Sequence, residues 1–284
     1  LEKDAKGDIN YMHENYPTIP EESFAVTGDP VLPANKILEM RSNLDKSKIL
    51  YLTDITLQEN IEEGVVYNSV RKPSRVMSVT NEKTFIEMYH KPVAGRKYIL
   101  GVDPAFGGEE SDYSAGVVLD YENLQECASF RVNVEQDELA EIVVSLGKFY
   151  NTAMVVPENN MGGILIEWLR INNYPRLYLK VRSGKLEPGS NTIEYGVRMT
   201  RQVKGDAIEK AKYLINKGIY ISNDEYFIKE SLHFMWQALP SGLKKAAAVG
   251  TDDNNEPYHD DTIMARLVAF SILDLRRYNG QDRY

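Results

Sequence analysis

KYILGVDPAFGGEESDYSAGVVLDYE, residues 97–122, opens on an apolar run, Tyr98-Ile99-Leu100-Gly101-Val102, and ends that run on an acid, Asp103. The run predicts a strand over 98–104, and a second apolar run predicts another over 114–121. Gly107 and Gly108 let the chain turn tightly between them, with φ values that other residues resist. An ionised carboxylate at the end of a buried strand is costly unless a cation, hydrogen bonds or a phosphate-bearing ligand stands beside it. The question Asp103 poses is which other acids of the chain can reach it.

Outward from this stretch the pattern is regular. Strands are predicted at 126–132 and 153–158, and between them an amphipathic helix aligns Leu139, Ile142, Val143, Leu146 and Tyr150 on one face. A second helix opens at Met161-Gly162-Gly163 and buries Ile164, Leu165, Trp168 and Leu169. RLYLKV, 176–181, reads as another strand. Helices are expected at 201–217, 223–237 and 260–275, with IYIS a short strand between the first two. Residues 240–257, PSGLKKAAAVGTDDNNEP, read as a mobile loop. Three strands, then helix, strand, helix, strand, make a mixed α/β sheet with helices packed on it.

Residues 1–95 have a different texture. YPTIPEESFAVTGDPVLP carries Pro17, Pro20, Pro30 and Pro33, which break regular elements and mark a connector. Helical spacing appears around Ile37, Leu38, Arg41 and Leu44, and short strands are expected in KILYLTDI and GVVYNSV. HKPVAGRK, 90–97, reads as a boundary before a unit running over 96–284. The first residue is Leu, so the chain is expected to be a piece of a longer product.

The totals narrow the function classes. With 284 residues, 43% apolar and 26% charged, there is ample material for a core. No apolar run approaches membrane-spanning length, and the start lacks the basic and apolar segments of a signal peptide. Cys127 is the one cysteine, which excludes an internal disulfide and a Cys-based zinc cluster and leaves a buried structural role in a reducing compartment. A net charge of −9 argues against a generic nucleic-acid binder, yet bases outnumber acids from Arg182 to Gly218. Carboxylates that hold cations, beside one basic face for DNA, reconcile the two.

Three acids occupy comparable positions. Asp103 ends one strand, Glu158 ends another in AMVVPENNMGG, and Asp260 and Asp261 open the last helix in HDDTIMARLVAF. Strand ends along one edge of an α/β sheet are the usual place for ligands. Oxygen-only donors favour Mg²⁺ or Mn²⁺ over zinc, and two such ions held by carboxylates clamp a phosphodiester for hydrolysis. Asp261 is preferred to Asp260 because its helical stripe runs through Ala265, Val268 and Ile272, small and apolar enough to press on a sheet. Asp260 is either a further ligand or the helix N-cap. Asp112, in the turn after Asp103, either supplies another oxygen or stabilises the turn, and His259 either assists or lies on the surface. The glycine hairpin could also be that of an actin-like ATPase, but no second Asp-Gly hairpin follows, and no Gly-x-x-x-x-Gly-Lys-Ser/Thr loop is present.

Taken in order, YILGVDPAFGGEESDYSAGVV, VVPENNMGG, MTRQVKGDAIEKAKYLI and HDDTIMARLVAF resemble the C-terminal, ribonuclease H-like nuclease of the large terminase subunit of tailed bacteriophages. YPTIPEESFAVTG is similar to the stretch that closes the family's packaging ATPase. The resemblance implies a ribonuclease H-like mixed sheet preceded by a connector and short-strand region, with 1–95 the end of the motor region and the phosphate-binding loop upstream of residue 1. It makes Asp103, Glu158 and Asp261 metal-binding catalytic acids, with Asp260 and Asp112 as further ligands. Glu158 stands where some members of the family have Asp, which puts metal spacing and preference in question.

The implied reaction is Mg²⁺- or Mn²⁺-dependent cutting of double-stranded, concatemeric viral DNA during genome packaging, through two ions and an attacking water. Lys204, Arg201 and Arg198, with Lys244 and Lys245 from the following loop, are candidates for phosphate contacts; a solvated basic face is the plainer reading of each. Implied partners are double-stranded DNA, the ATPase region of the same polypeptide, the small terminase subunit and the portal or procapsid, with no membrane. The implied location is the host cytoplasm, transiently on the procapsid. Two other readings remain: another ribonuclease H-like DNA enzyme such as a Holliday-junction resolvase, and a packaging-motor docking module whose acids are structural.

Overall fold

A computed structural model of the chain describes residues 28–45, 50–52, 59–62, 65–68, 86–107, 113–160, 163–183, 191–251 and 257–278. Asp112, Gly108, the expected helix start at Met161-Gly162 and most of the proline-rich connector lie outside these residues. The first helix among the described residues, α1 (Ala34–Ser42), forms around Ile37, Leu38 and Met40 and buries all three. Short strands follow where expected, as β1 (Leu50–Leu52) and β3 (Val65–Asn68), and two that the sequence reading did not anticipate accompany them, β2 (Glu59–Glu62) and β4 (Ile86–Met88).

The predicted series then appears in order. It runs β5 (Tyr98–Asp103), β6 (Ser114–Asp120), β7 (Glu126–Val132), α2 (Gln136–Phe149), β8 (Met154–Pro157) and α3 (Gly163–Ile171). The main sheet has the order β1-β4-β7-β6-β5-β8, so it draws strands from both sides of position 95. β5 pairs antiparallel with β6 and parallel with β8, which sets Val102 beside Pro157 and so Asp103 beside Glu158 at one edge.

Both faces of the sheet are covered, which is why its strands read as apolar runs and not as alternations. On one face Leu100, Val102 and Val118 meet Leu139, Ile142, Val143 and Leu146 of α2, all fully buried. Each such side chain contributes about 1.5–3 kcal/mol. On the other face Ile99, Val117 and Val156 pack against α4 (Arg201–Asn216), α5 (Glu225–His233) and α6 (Asp261–Ser271). Gly101 faces α6: a Cβ there would stand 2.5 Å from the Ala265 carbonyl oxygen and 2.8 Å from the Ala269 Cβ. The small stripe expected below Asp261 therefore does press on β5, with Ala265 and Val268 fully buried.

The structure corrects several expectations. The strand expected at 176–181 lies later, as β9 (Leu179–Ser183), and pairs with β10 (Asn191–Tyr195) in a separate hairpin. A bridge between Leu177 and Val155 ties this segment to the main sheet, and a second, between Val197 and Glu158, ties the chain just beyond β10 to it. IYIS is not a strand; it is an irregular crossing that buries Tyr220 completely. The helix expected over 223–237 stops at His233, because the chain from Phe234 pairs elsewhere. It forms β11 (Phe234–Ala238) and bonds with β12 (Lys244–Ala248), inside the segment read as a mobile loop. Val31 and Trp236 extend that pairing, through Val31 N–H to Phe234 O at 2.9 Å and Trp236 N–H to Asp29 O at 2.8 Å. Ile164, expected in the core, is 57% exposed; its neighbour Ile166 is buried instead. The final helix ends at Ser271, and a 3₁₀ turn follows at Leu275–Tyr278.

Candidate metal centre

Asp103 is the last residue of β5, and Glu158 directly follows β8. The Glu158 N–H donates to Val102 O at 2.8 Å, so the backbone itself holds the two acids side by side. Asp261 is the first residue of α6, and Gly101 allows that helix to lie close on β5. The fold thus gathers acids separated by more than fifty residues at each step onto one sheet edge, as the strand-end reasoning expected.

The electrostatics record the crowding. Burial, then the charge of Glu158 and a hydrogen bond to it, then Asp261 and Asp260, hold the Asp103 carboxyl well above the usual range. Glu158 is also raised, chiefly by burial; the Asp103 hydrogen bond, the Lys204 ammonium and Asn160 pull the other way. A side-chain hydrogen bond links the Asp103 and Glu158 carboxyls. Asn160 Nδ2 donates to Glu158 Oε1 at 2.6 Å and fixes its rotamer.

The two aspartates of α6 turn towards bases. Asp261 Oδ2 accepts from Arg131 Nη2 at 3.3 Å, and Asp260 Oδ2 accepts from Lys204 Nζ at 3.3 Å. Asp260 occupies the N-cap position but makes no side-chain cap hydrogen bond, so the capping alternative does not describe it. Among the described residues no three acid, Cys or His side chains are already drawn to ligating distance of a common point. The donor set nevertheless suits a hard divalent cation. All its atoms are oxygens, and the crowding of buried carboxyls at Asp103 and Glu158 marks where positive charge is needed. His259 stands edge-on to Tyr113, with ring centroids 6.4 Å apart.

The loop after Asp103 is tied down at Ala105, whose N–H donates to Ser114 Oγ at 2.9 Å. Gly107 takes φ +77°, as expected of the turn, and packs against the Val134 backbone where a Cβ would clash. Of the expected phosphate contacts, Lys204 lies at the acids themselves, and Arg201 Nη2 donates to Lys244 O at 3.4 Å, linking α4 to the β11–β12 hairpin. Lys244 and Lys245 are exposed on that hairpin, and Lys244 Nζ also pairs with Asp29 Oδ2 at 2.5 Å. Arg198 is exposed beside Asn159, Asn160 and Glu194 in an open cleft. Sequence reasoning missed Arg131 and Glu230. The available signal was Arg131 itself, a base set between Phe130 and Val132 in an apolar strand.

No protein-family model matches the chain, and no curated protein matches it. Solved structures do. The large terminase nuclease from thermophilic phage G20c, crystallised with bound magnesium, is 20% identical and superposes with a TM-score of 0.54 over 68% of this chain and 90% of that one. The same nuclease with bound cobalt gives the same identity, TM-score and coverage. The Thermus phage P74-26 large terminase nuclease domain is 20% identical, with a TM-score of 0.51 over 72% of this chain and 91% of that one. The chain has the ribonuclease H-like fold found in these phage large terminase nuclease domains.

Proposed function

We propose that this chain is the nuclease part of a phage large terminase subunit, a divalent-metal-dependent endonuclease that cuts double-stranded, concatemeric viral DNA during packaging. One observation carries the reading: Asp103, Glu158 and Asp261 come from separate elements to a single edge of the sheet, where Asp103 feels the charge of the other two. A similar fold crystallised with magnesium and with cobalt supports it by analogy.

Asp103, Glu158 and Asp261 would hold the ions, with Asp260 and Asp112 as further oxygen donors. Bound there, two Mg²⁺ or Mn²⁺ ions supply an activated water and neutralise the leaving oxygen. The chain's own task is to place carboxylates, and no side chain serves as nucleophile. Asn160 orients Glu158, and Lys204 sets a positive charge beside Glu158 and Asp260. Arg198, Arg201, Lys204, Lys244 and Lys245 contact backbone phosphates and so position the duplex without reading its sequence. In the same reading residues 1–95 include the end of the packaging motor while lending β1 and β4 to the nuclease sheet, and the partners are the ATPase region, the small subunit and the portal of a procapsid in the host cytoplasm.

Plasmid cleavage with Mg²⁺ or Mn²⁺ tests this. Wild type is expected to linearise the plasmid, and Asp103→Asn to lose activity by more than the ~10–100-fold typical of residues that only support a metal ligand. Identical cutting by both proteins, or none by either, contradicts the reading.

A further inference from the structure

Arg131 is an unusual occupant of its strand. It sits near the end of β7, two strands away from β5, with its side chain only 15% exposed. Its Nη2 meets Asp261 Oδ2 at 3.3 Å and its Nε lies 3.5 Å from Glu230 Oε1. The guanidinium carbon lies 3.6 Å from the Tyr113 ring centroid and 5.5 Å from that of Tyr226. Glu230 is itself anchored, accepting from the Thr262 N–H at 2.9 Å and from Thr262 Oγ1 at 2.5 Å. A closed chain of contacts therefore runs from Asp261 to Arg131, to Glu230, and back to the residue next to Asp261.

We infer that Arg131 is a positioning residue for Asp261, holding that carboxylate in the orientation from which it binds a divalent cation. The inference rests on the reading of Asp261 as a metal ligand. A carboxylate has about four lone-pair sites, so one oxygen can accept from a guanidinium while the group also binds metal. Lys204 differs in kind: its flexible stem meets Asp260 by a single contact, and it can swing away. Arg131 is packed over the Tyr113 ring and beside the buried Glu230 carboxylate, and is largely enclosed. Fixing the ligand during folding removes an ordering cost from metal binding, as partners behind metal ligands generally do. Three elements contribute, since Arg131 comes from β7, Glu230 from α5 and Asp261 from α6.

The test is Mn²⁺ titration by calorimetry on wild type, Arg131→Met and Arg131→Lys, each with its metal-free melting temperature. Arg131→Met is expected to weaken Mn²⁺ binding about 10–100-fold in folded protein, and Arg131→Lys to recover part of the loss. Excess Mn²⁺ should restore cleavage by Arg131→Met, which a purely structural defect would not allow. Should Arg131→Met fail to fold because Glu230 is left unpaired, the double variant Arg131→Met/Glu230→Gln removes that burden and the same weakening is expected. Unchanged affinity, or tighter binding as if Arg131 merely competed with the metal, overturns the inference. Wild type that binds no Mn²⁺ overturns the parent reading as well, so the two failures are distinct.

Discussion

Arg266, 1% exposed, is a fully buried cation in the middle of α6. Its Nη2 donates to Glu126 at 2.5 Å and Asp224 at 2.8 Å, its Nε to the Tyr220 hydroxyl at 2.6 Å, and its Nη1 to Thr262 O at 2.9 Å. Removing one partner of such a set strands the others without solvent, so Arg266→Leu should cost about 3–5 kcal/mol in a urea titration. A loss below about 1 kcal/mol would mean that water or a rearranged acid compensates. Glu87, on the edge side of the same acidic group, gives a pH prediction. Burial first, then the charge of Asp224, raises its carboxyl from 4.5 to about 7, while Tyr89 donates to it at 2.9 Å. The folded protein thus keeps a proton that the unfolded chain releases. Stability from this group is complete below pH 4.5 and falls as pH rises through 7. Glu87→Gln should accordingly be more stable than wild type at pH 8, by about 1–2 kcal/mol after solvent screening, with the gap closing towards pH 4. Thermal melts across that range would check it, and a gap independent of pH would contradict it.

At the scale of elements, the contact between α6 and β5 sets the position of Asp261. Gly101→Ala would drive a methyl against the Ala265 carbonyl and the Ala269 side chain. Such overpacking costs about 1–3 kcal/mol, and it should also move Asp261 away from Asp103. Melting and Mn²⁺ calorimetry on this variant are expected to show both losses; a stable protein with native affinity would show that close packing is not what places the acid. The β11–β12 hairpin carries Lys244 and Lys245. If both contact phosphate, Lys244→Ala/Lys245→Ala should lower the slope of log affinity against log salt by about 2, uniformly across DNA sequences. This hairpin is also where local pattern failed. Phe227, Ile228 and Leu232 are buried at helical spacing, and Met235 prolongs the same rhythm. What ends the helix is pairing of Phe234–Ala238 with Lys244–Ala248 and with the backbone at Asp29 and Val31, partners that no local window contains.

At the scale of the whole molecule, the sheet is a device for bringing distant acids together. That much was legible, because β5, β6, β7 and β8 are apolar runs covered on both faces, and each acid immediately follows or ends its run or opens the last helix. The supporting polar groups were not legible. Nothing in the sequence around Arg266 marks it as buried, since its partner Glu126 is 140 residues away; Arg131 reaches Asp261 across 130. Long-range charge pairing leaves no periodic trace in sequence, whereas apolar burial does. The most direct measurement is anomalous diffraction from crystals soaked in Mn²⁺. The account predicts peaks between Asp103 and Glu158 and beside Asp261, at about 2.0–2.3 Å from their carboxylate oxygens. Manganese bound elsewhere, with no peak beside any of these three carboxylates, would contradict it.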